Sequence, residues 1–437
     1  MSARRPHVLL LGMQFPPARG SGVYRIRAWA NHLARRGMDV TVLAADRAFW
    51  RALAGDVDED LVRTVDPRVR VVEVNVPREH LIQDVRAMSW LHASFPKAYL
   101  TAHEKFREKV FPESYAPMLP TYVRHGVAVH LHKPVDVILS TGNPYTQYAA
   151  AHVLSRILHR PYVVDYHDPW TLNLWTEEDH FPPEHMAFRW ERRIIDRASL
   201  VVTVNQPLVD WYRDRYPDAA ERVRLVENGL AEEVVGDPGF TPVDANRPLR
   251  AAFLGTIRGD LPLPEYLEGW SLARQRPELE DATMDFYGYL GFFKQHAQGI
   301  RQRIEGGAVP GVRYRGPVSQ TQIGPVLGSH DLMAMLLTSS RFVTAGKGFD
   351  YMASGRPVVG VHDPRNDTTR LFKDYPLFFG ASSVTAEGIR DVLLAAARAA
   401  RAQTREQYDA ARVEALRHTW DAAIGPVADE IEVIARG

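Results

Sequence analysis

The 437-residue chain contains no cysteine. That one absence removes disulfides, thiolate zinc sites, iron–sulfur clusters and thiol nucleophiles together. Neither sign of charge is in excess: 53 basic and 53 acidic residues give a formal net charge of zero, so no whole-protein basic field draws the chain to nucleic acid. Lysine is scarce, at seven of the 53 basic residues. Long hydrophobic runs are missing as well. The longest, such as Val8–Leu11 and Leu332–Leu337, fall far short of the ~20 residues a spanning helix needs. The basic start is followed only by Val8–Met13 before Gln14, Phe15 and two prolines, too short for the apolar core of a signal peptide. A cytoplasmic protein is expected.

Several catalytic patterns are absent too. There is no Gly-x4-Gly-Lys-Ser/Thr phosphate loop and no Gly-x-Ser-x-Gly elbow. His180 and His185 enclose two prolines at the wrong spacing for a helical zinc site, and Asp56–Asp60 reads as a solvated acidic turn. What remains is ordinary globular composition, 45% hydrophobic and 24% charged, in a chain too long for one hydrophobic core, which stops growing near ~250–300 residues. Two domains are expected.

The order of elements gives their class. Val8–Gly12 is an apolar strand ending in the Gly/Pro-rich loop Gly12–Gly22. A helix follows, with Ile26, Trp29, Ala30 and Leu33 on one face and Gly37 as its stop, and then the strand Val40–Leu43. That is a βαβ unit, whose crossover makes the strands parallel. Val71–Val76, Val135–Ser140, Tyr162–Tyr166, Leu200–Val204 and Val223–Val226 read as further strands, with helices at Tyr145–Leu158 and Met186–Asp196. The segment Arg78–His130 breaks the rhythm. It reads as a helical insertion whose aromatics (Trp90, Phe95, Tyr99, Phe106, Phe111, Tyr115 and Tyr122) either pack the helices or shape a pocket.

After a linker near Gly236–Arg247 the grammar restarts. Strands are expected at Leu249–Leu254, Thr283–Tyr287, Val312–Tyr314, Asp331–Leu337 and Pro357–Val361, helices at Pro264–Ala273 and Gly348–Ala353, and a helical tail from Thr385. The expected fold is α/β: two doubly wound, Rossmann-like domains over residues 1–235 and 248–415, with a cleft between them.

Ligands of doubly wound sheets bind beyond the carboxyl ends of the strands, so chemistry is sought there. Gly20-Ser-Gly22 lets the backbone approach a phosphate-bearing ligand, although Arg25 stands where a dinucleotide fingerprint needs glycine. His167 and Asp168 close the strand Tyr162–Tyr166. Lys347 and Asp350 share one helical face, and Gly355-Arg-Pro357 leads straight into the next strand. Arg258 follows Gly255; its planar guanidinium suits a diphosphate.

Taken in order, these segments resemble the GT-B glycosyltransferases of the large retaining family called glycosyltransferase family 4, or group 1. The resemblance runs through Pro16–Arg25, Leu33–Val42, Val135–Pro144, Pro161–Trp170, Val226–Gly229, Phe253–Thr256, Phe286–Gly288, Lys347–Val359 and His418–Trp420. It implies a nucleoside-diphosphate sugar held mainly by the second domain and an acceptor held mainly by the first. It also implies transfer with retention, no required metal or other cofactor, and a last helix (residues 416–437) crossing back to the first domain.

By the same resemblance His167, Arg258 and Lys347 are the catalytic group. Donor contacts come from Gly20, Gly22, Gly255, Thr256, Arg258, Tyr287, Gly288, Lys347, Gly348, Phe349 and Asp350, with Asp350 on the ribose. Acceptor contacts come from Tyr24, Asn143, Asp168 and Trp170. Two positions depart from the family. Phe342 stands where a first acid is usual, and no lysine follows Arg258, since the next residues run Gly-Asp-Leu-Pro-Leu-Pro264. A catalytically silent partner protein and a sugar-nucleotide epimerase are the alternatives on the same fold. Arg189, Arg192, Arg193 and Arg197 lie beside Trp190 at helical spacing, interrupted by Glu191 and Asp196. They read as a solvated face, with peripheral membrane contact as the alternative. The acceptor and the oligomeric state are not legible.

Overall fold

The fold is taken from a computed structural model that describes residues 4–54, 57–76, 90–244, 246–291, 294–305, 309–319, 322–344 and 346–437. The chain divides into two compact units. Unit 1 comprises Met1–Asn173, Glu177–Glu227 and Ala423–Gly437; unit 2 comprises Leu174–Thr176 and Asn228–Ala422.

Unit 1 is built on seven strands: β1 (His7–Leu11), β2 (Asp39–Ala45), β3 (Val69–Val74), β4 (Val137–Gly142), β5 (Tyr162–Tyr166), β6 (Leu200–Thr203) and β7 (Val223–Leu225). Their order across the sheet is β3-β2-β1-β4-β5-β6-β7, and every pairing is parallel. The apolar runs read as strands because helices cover both faces of a parallel sheet; all five residues of β1 are buried. The first crossover helix, Ser21–Arg35, buries Ile26, Trp29, Ala30 and Leu33, the face its periodicity predicts.

The expected insertion contains helices Trp90–Ser94, Pro96–Lys109 and Leu119–His132; residues 78–89 and the side chain of Phe106 lie outside the described part. Among the described residues, only some of its aromatics pack into the core. Phe111 and Tyr122 are buried and Tyr115 packs against the core, whereas Trp90 and Phe95 are exposed. The last helix, Trp420–Arg436, buries Ile424, Val427, Ala428 and Ile431. Its Glu430 accepts from Arg224 Nε at 2.7 Å and Nη2 at 2.9 Å.

Unit 2 has six strands: β8 (Arg250–Leu254), β9 (Thr283–Tyr287), β10 (Val312–Gly316), β11 (Leu332–Leu336), β12 (Val358–Val361) and β13 (Phe378–Gly380). They are ordered β10-β9-β8-β11-β12-β13, again all parallel. Strand β13 lies outside the expected set: three residues, none fully buried, carry no periodic signal. In both sheets the winding reverses beside the first strand, between β1 and β4 and between β8 and β11. Such switch points open a crevice at the carboxyl ends, where doubly wound sheets take ligands.

Candidate active site

In unit 1 the switch point is lined by the loop after β1, the end of β4 and the residues after β5. Gly20 and Gly22 sit where that loop turns into the helix. A Cβ at Gly22 would lie 2.7 Å from Gln14 Oε1, which would have to turn aside, and 3.5 Å from His167 Nε2. Those distances place Gln14, Gly22 and His167 together. Gln14 donates from Nε2 to the carbonyl of Asn143 at 3.1 Å, joining the β1 and β4 loops. His167 Nδ1 lies 3.2 Å from Thr141 Oγ1, and Nε2 lies 3.7 Å from Asp168 Oδ2. Burial holds the His167 pKa below the ordinary imidazole range, against the opposing pull of Asp168 and Asp165. The ring is therefore neutral near pH 7, a hydrogen-bonding group rather than a fixed charge.

Beneath this half-site lies a buried ion pair between elements 140 residues apart. Arg25 Nε and Nη2 donate to Asp165 Oδ2 and Oδ1 at 2.8 and 2.7 Å. Trp29 Nε1 donates to the same carboxylate at 3.1 Å, and Arg25 Nη1 donates to the Val226 carbonyl at 2.8 Å. One guanidinium thus ties the helix after Gly22 to β5, two residues before His167, and to the end of β7.

Of the expected acceptor residues, Asn143 is exposed, Asp168 is partly exposed, and Tyr24 packs against the core edge. Trp170 is only 3% exposed. Its ring stacks on Phe111 at 4.9 Å and on Tyr145 at 5.4 Å, so it supports the loop from below rather than facing a ligand.

In unit 2 the corresponding crevice begins at Gly255, directly after β8. Gly288, after β9, has a φ of 135°, and a Cβ there would meet the Gly255 carbonyl oxygen at 1.8 Å. Only glycine lets the two turns touch. Tyr351 ties the helix Gly348–Ala353 to the same place: its buried hydroxyl donates to the Leu254 carbonyl at 2.9 Å and accepts from the Leu254 N–H at 2.7 Å. Phe349 fills the core beneath, and Lys347 Nζ reaches Asp350 Oδ2 at 3.2 Å. The side chains are 37% and 15% exposed.

Arg258 pairs with Asp260 at 3.0 Å, and Asp260 also accepts from Trp175 Nε1 at 3.0 Å. The residues after Arg258 line a cavity of about 570 Å³ with Leu337, Ser339 and Asp363, and Pro264 is part of its wall. Phe342 is buried, and its loop is pinned by Asn366 Nδ2, which donates to the carbonyls of Ser340 and Val343 at 2.6 and 2.8 Å.

Comparison with known proteins agrees with this architecture. Residues 20–229 match the family described as "Glycosyl transferase 4-like domain". Structures similar over the whole chain include a glycosyltransferase from Rickettsia africae (11% identity, 99% of each chain, TM-score 0.67). HepE from Anabaena in complex with UDP and glucose is similar as well (15% identity, 98% of this chain and 100% of that one, TM-score 0.62). So is a sucrose-phosphate synthase from Thermosynechococcus elongatus (16% identity, 99% and 100%, TM-score 0.62). No curated protein matches by sequence.

The chain has the GT-B fold, and its residues 20–229 carry a glycosyltransferase 4-like domain.

Within this GT-B fold the structure groups the expected residues by unit. Gly20, Gly22, Tyr24, Asn143, His167, Asp168 and Trp170 belong to unit 1; Gly255, Thr256, Arg258, Tyr287, Gly288, Lys347, Gly348, Phe349 and Asp350 belong to unit 2. Sequence reasoning missed Gln14, the Arg25–Asp165 pair and Tyr351. Only Arg25 carried a signal, as a large basic residue in an otherwise apolar helix face beside Gly22. Among the described residues no group of three or more His, Asp or Glu is placed to hold a metal ion.

Proposed function

We propose that this chain is a glycosyltransferase that moves a sugar from a nucleoside diphosphate to a small-molecule, glycan or lipid-linked acceptor, with retention at the anomeric carbon and without a required metal. The observation that carries the donor assignment is the position of Arg258 and Lys347. Arg258 follows the end of β8, and Lys347 precedes the helix Gly348–Ala353, which Tyr351 ties to Leu254 at the same strand end. Departure of a nucleoside diphosphate builds up negative charge, and fixed cations aimed at that charge are the main electrostatic help a transfer needs.

In this reading Lys347 and Arg258 neutralise the leaving diphosphate, with Asp260 exchanging its place on the guanidinium for phosphate oxygens. Asp350 accepts from the ribose hydroxyls, and Gly255 and Gly288 keep the backbone close to the nucleotide. His167, neutral and next to Gly22, hydrogen-bonds the transferring sugar, while Asn143 and Asp168 face the acceptor. The family resemblance supports retention and metal independence. The UDP and glucose bound to the Anabaena protein make UDP-sugars the first donors to try.

The test is a thermal-shift series with UDP, GDP, dTDP, ADP and CMP and their sugars, with and without EDTA. A ligand at ~100 times its dissociation constant stabilises by about 2.7 kcal/mol. One nucleotide should raise the melting temperature and keep doing so in EDTA, and the product's anomeric configuration should match the donor's. A flat response to every nucleotide would refute the donor assignment.

A further inference from the structure

A second cavity, of about 560 Å³, lies in unit 1 between the helices Thr146–Leu158 and Met186–Arg197. Its wall is formed by His152, Val153, Arg156, Ile157, Trp190 and Arg193. It is not part of the switch-point crevice. His152 Nδ1 lies 3.2 Å from the Tyr162 hydroxyl, and Tyr162 opens β5, whereas His167 follows the other end of that strand. At ~3.3 Å per residue the two places are on the order of 16 Å apart.

The composition of the wall is unusual. Arg156 and Arg193 line it and Arg197 stands close by, yet among the described residues none of the three is in an ion pair. The acids on the same helix are occupied or displaced: Glu191 is buried and accepts from the hydroxyls of Thr171 and Tyr216, and Asp196 is exposed beside Tyr162. Arg193 lies over the Trp190 ring at 4.9 Å. Trp190 is itself fixed, donating from Nε1 to the Val110 carbonyl at 2.9 Å and meeting Phe111 edge to face at 5.3 Å. Beside these cations the wall is apolar, and Ile157 is half exposed.

The geometry points to a binding site for a phosphate ester that carries an apolar group, with Arg156 and Arg193 on the phosphate and Ile157 and Trp190 against the apolar part. Guanidinium forks pair with phosphate oxygens bidentately, and an apolar wall alone would have no use for unpaired charge. His152 reports on the same field. Tyr162 donates its hydroxyl hydrogen to the Ile194 carbonyl at 2.6 Å, so its oxygen accepts from His152 Nδ1–H and leaves a lone pair on Nε2. Burial and the charges of Arg197, Arg193 and Arg156 push the His152 pKa down to about 4. An anion that neutralises those arginines removes part of that push, so occupancy raises the pKa and binding takes up a proton below neutrality.

The full-length chain is titrated with dihexanoyl phosphatidylglycerol below its micellar concentration, with dihexanoyl phosphatidylcholine, and with inorganic phosphate. The His152 ring is followed by NMR and assigned with His152→Gln. Phosphatidylglycerol should bind at least tenfold tighter than phosphatidylcholine, and the double variant Arg156→Gln/Arg193→Gln should lose at least tenfold in that affinity. The His152 titration should move up by about one pH unit in its presence. Both arginines are exposed, so an unchanged melting temperature separates lost binding from lost fold. Undiminished binding by the double variant, or a His152 titration that does not move, overturns the site. Equal affinity for inorganic phosphate overturns its apolar half and makes it a free-phosphate site.

Discussion

Replacing Arg25 with methionine tests whether the buried pair beneath His167 holds unit 1 together. The guanidinium gives two hydrogen bonds to Asp165 and one, at 2.8 Å, to the Val226 carbonyl, and both side chains are almost wholly buried. Methionine fills much of the volume but leaves the Asp165 carboxylate with the Trp29 indole as its remaining side-chain donor and strips the Val226 carbonyl of this bond. Removing one partner of a buried ion pair costs about 3–5 kcal/mol, because the charge left behind has lost its solvent and its partner together. In a domain of this size 1 kcal/mol is worth roughly 2–4 °C, so the melting temperature should fall by ~6–20 °C. The double change Arg25→Met/Asp165→Leu removes both charges, and replacing such a pair by apolar groups is often neutral. It should recover most of the loss. Differential scanning calorimetry with urea unfolding reads both variants. A single variant that loses less than ~1 kcal/mol, or a double variant worse than the single, would refute an argument based on uncompensated charge.

Lys347→Ala should lower kcat by ~10²–10³, the cost of losing one well-aimed charged donor in a transfer site, while the melting temperature stays within ~2 °C because the side chain is 37% exposed; steady-state kinetics beside a melting curve would show it. Stability should also depend on pH through His152. Its pKa falls from 6.5 in the unfolded chain to about 4 in the folded one, so the unfolded state binds the proton first. Stability is full above pH ~6.5 and declines as pH drops toward 4, by up to ~3 kcal/mol at 1.36 kcal/mol per unit. His152→Gln, which keeps a donor for Tyr162, should flatten that part of a urea-midpoint profile against pH; an unchanged slope would count against it.

Most strands were legible because a parallel sheet covered on both faces demands short, wholly apolar runs, and β5 and β9 match their expected limits residue for residue. What escaped had no such signature. Strand β13 is three residues long, and the helix Lys294–Glu305 is mostly polar along its length. At the candidate site, residues announced by a glycine turn or a strand end could be marked from the sequence. Partners brought in from elsewhere could not: nothing local links Arg25 to Asp165, 140 positions away, or Tyr351 to Leu254. Trp170 shows the opposite failure. An aromatic beside a strand end suggests a ligand platform, and only the flanking rings of Phe111 and Tyr145 reveal that it is enclosed.

The path of the chain sets an order of assembly. Unit 2 is almost one continuous stretch, Asn228–Ala422, interrupting a unit 1 that resumes at Ala423. Near the limits of that stretch Leu230 pairs with Thr419, and the Leu230 N–H bonds the His418 carbonyl at 2.8 Å. On the ribosome, where domains mature from the N-terminal end, the first sheet can form early. It nevertheless waits for the final helix, with its buried Ile424, Val427 and Ile431, until the whole inserted unit has been made. Excised between those neighbouring ends, the inserted unit is a natural single-segment expression product, whereas the host unit needs a short splice in its place.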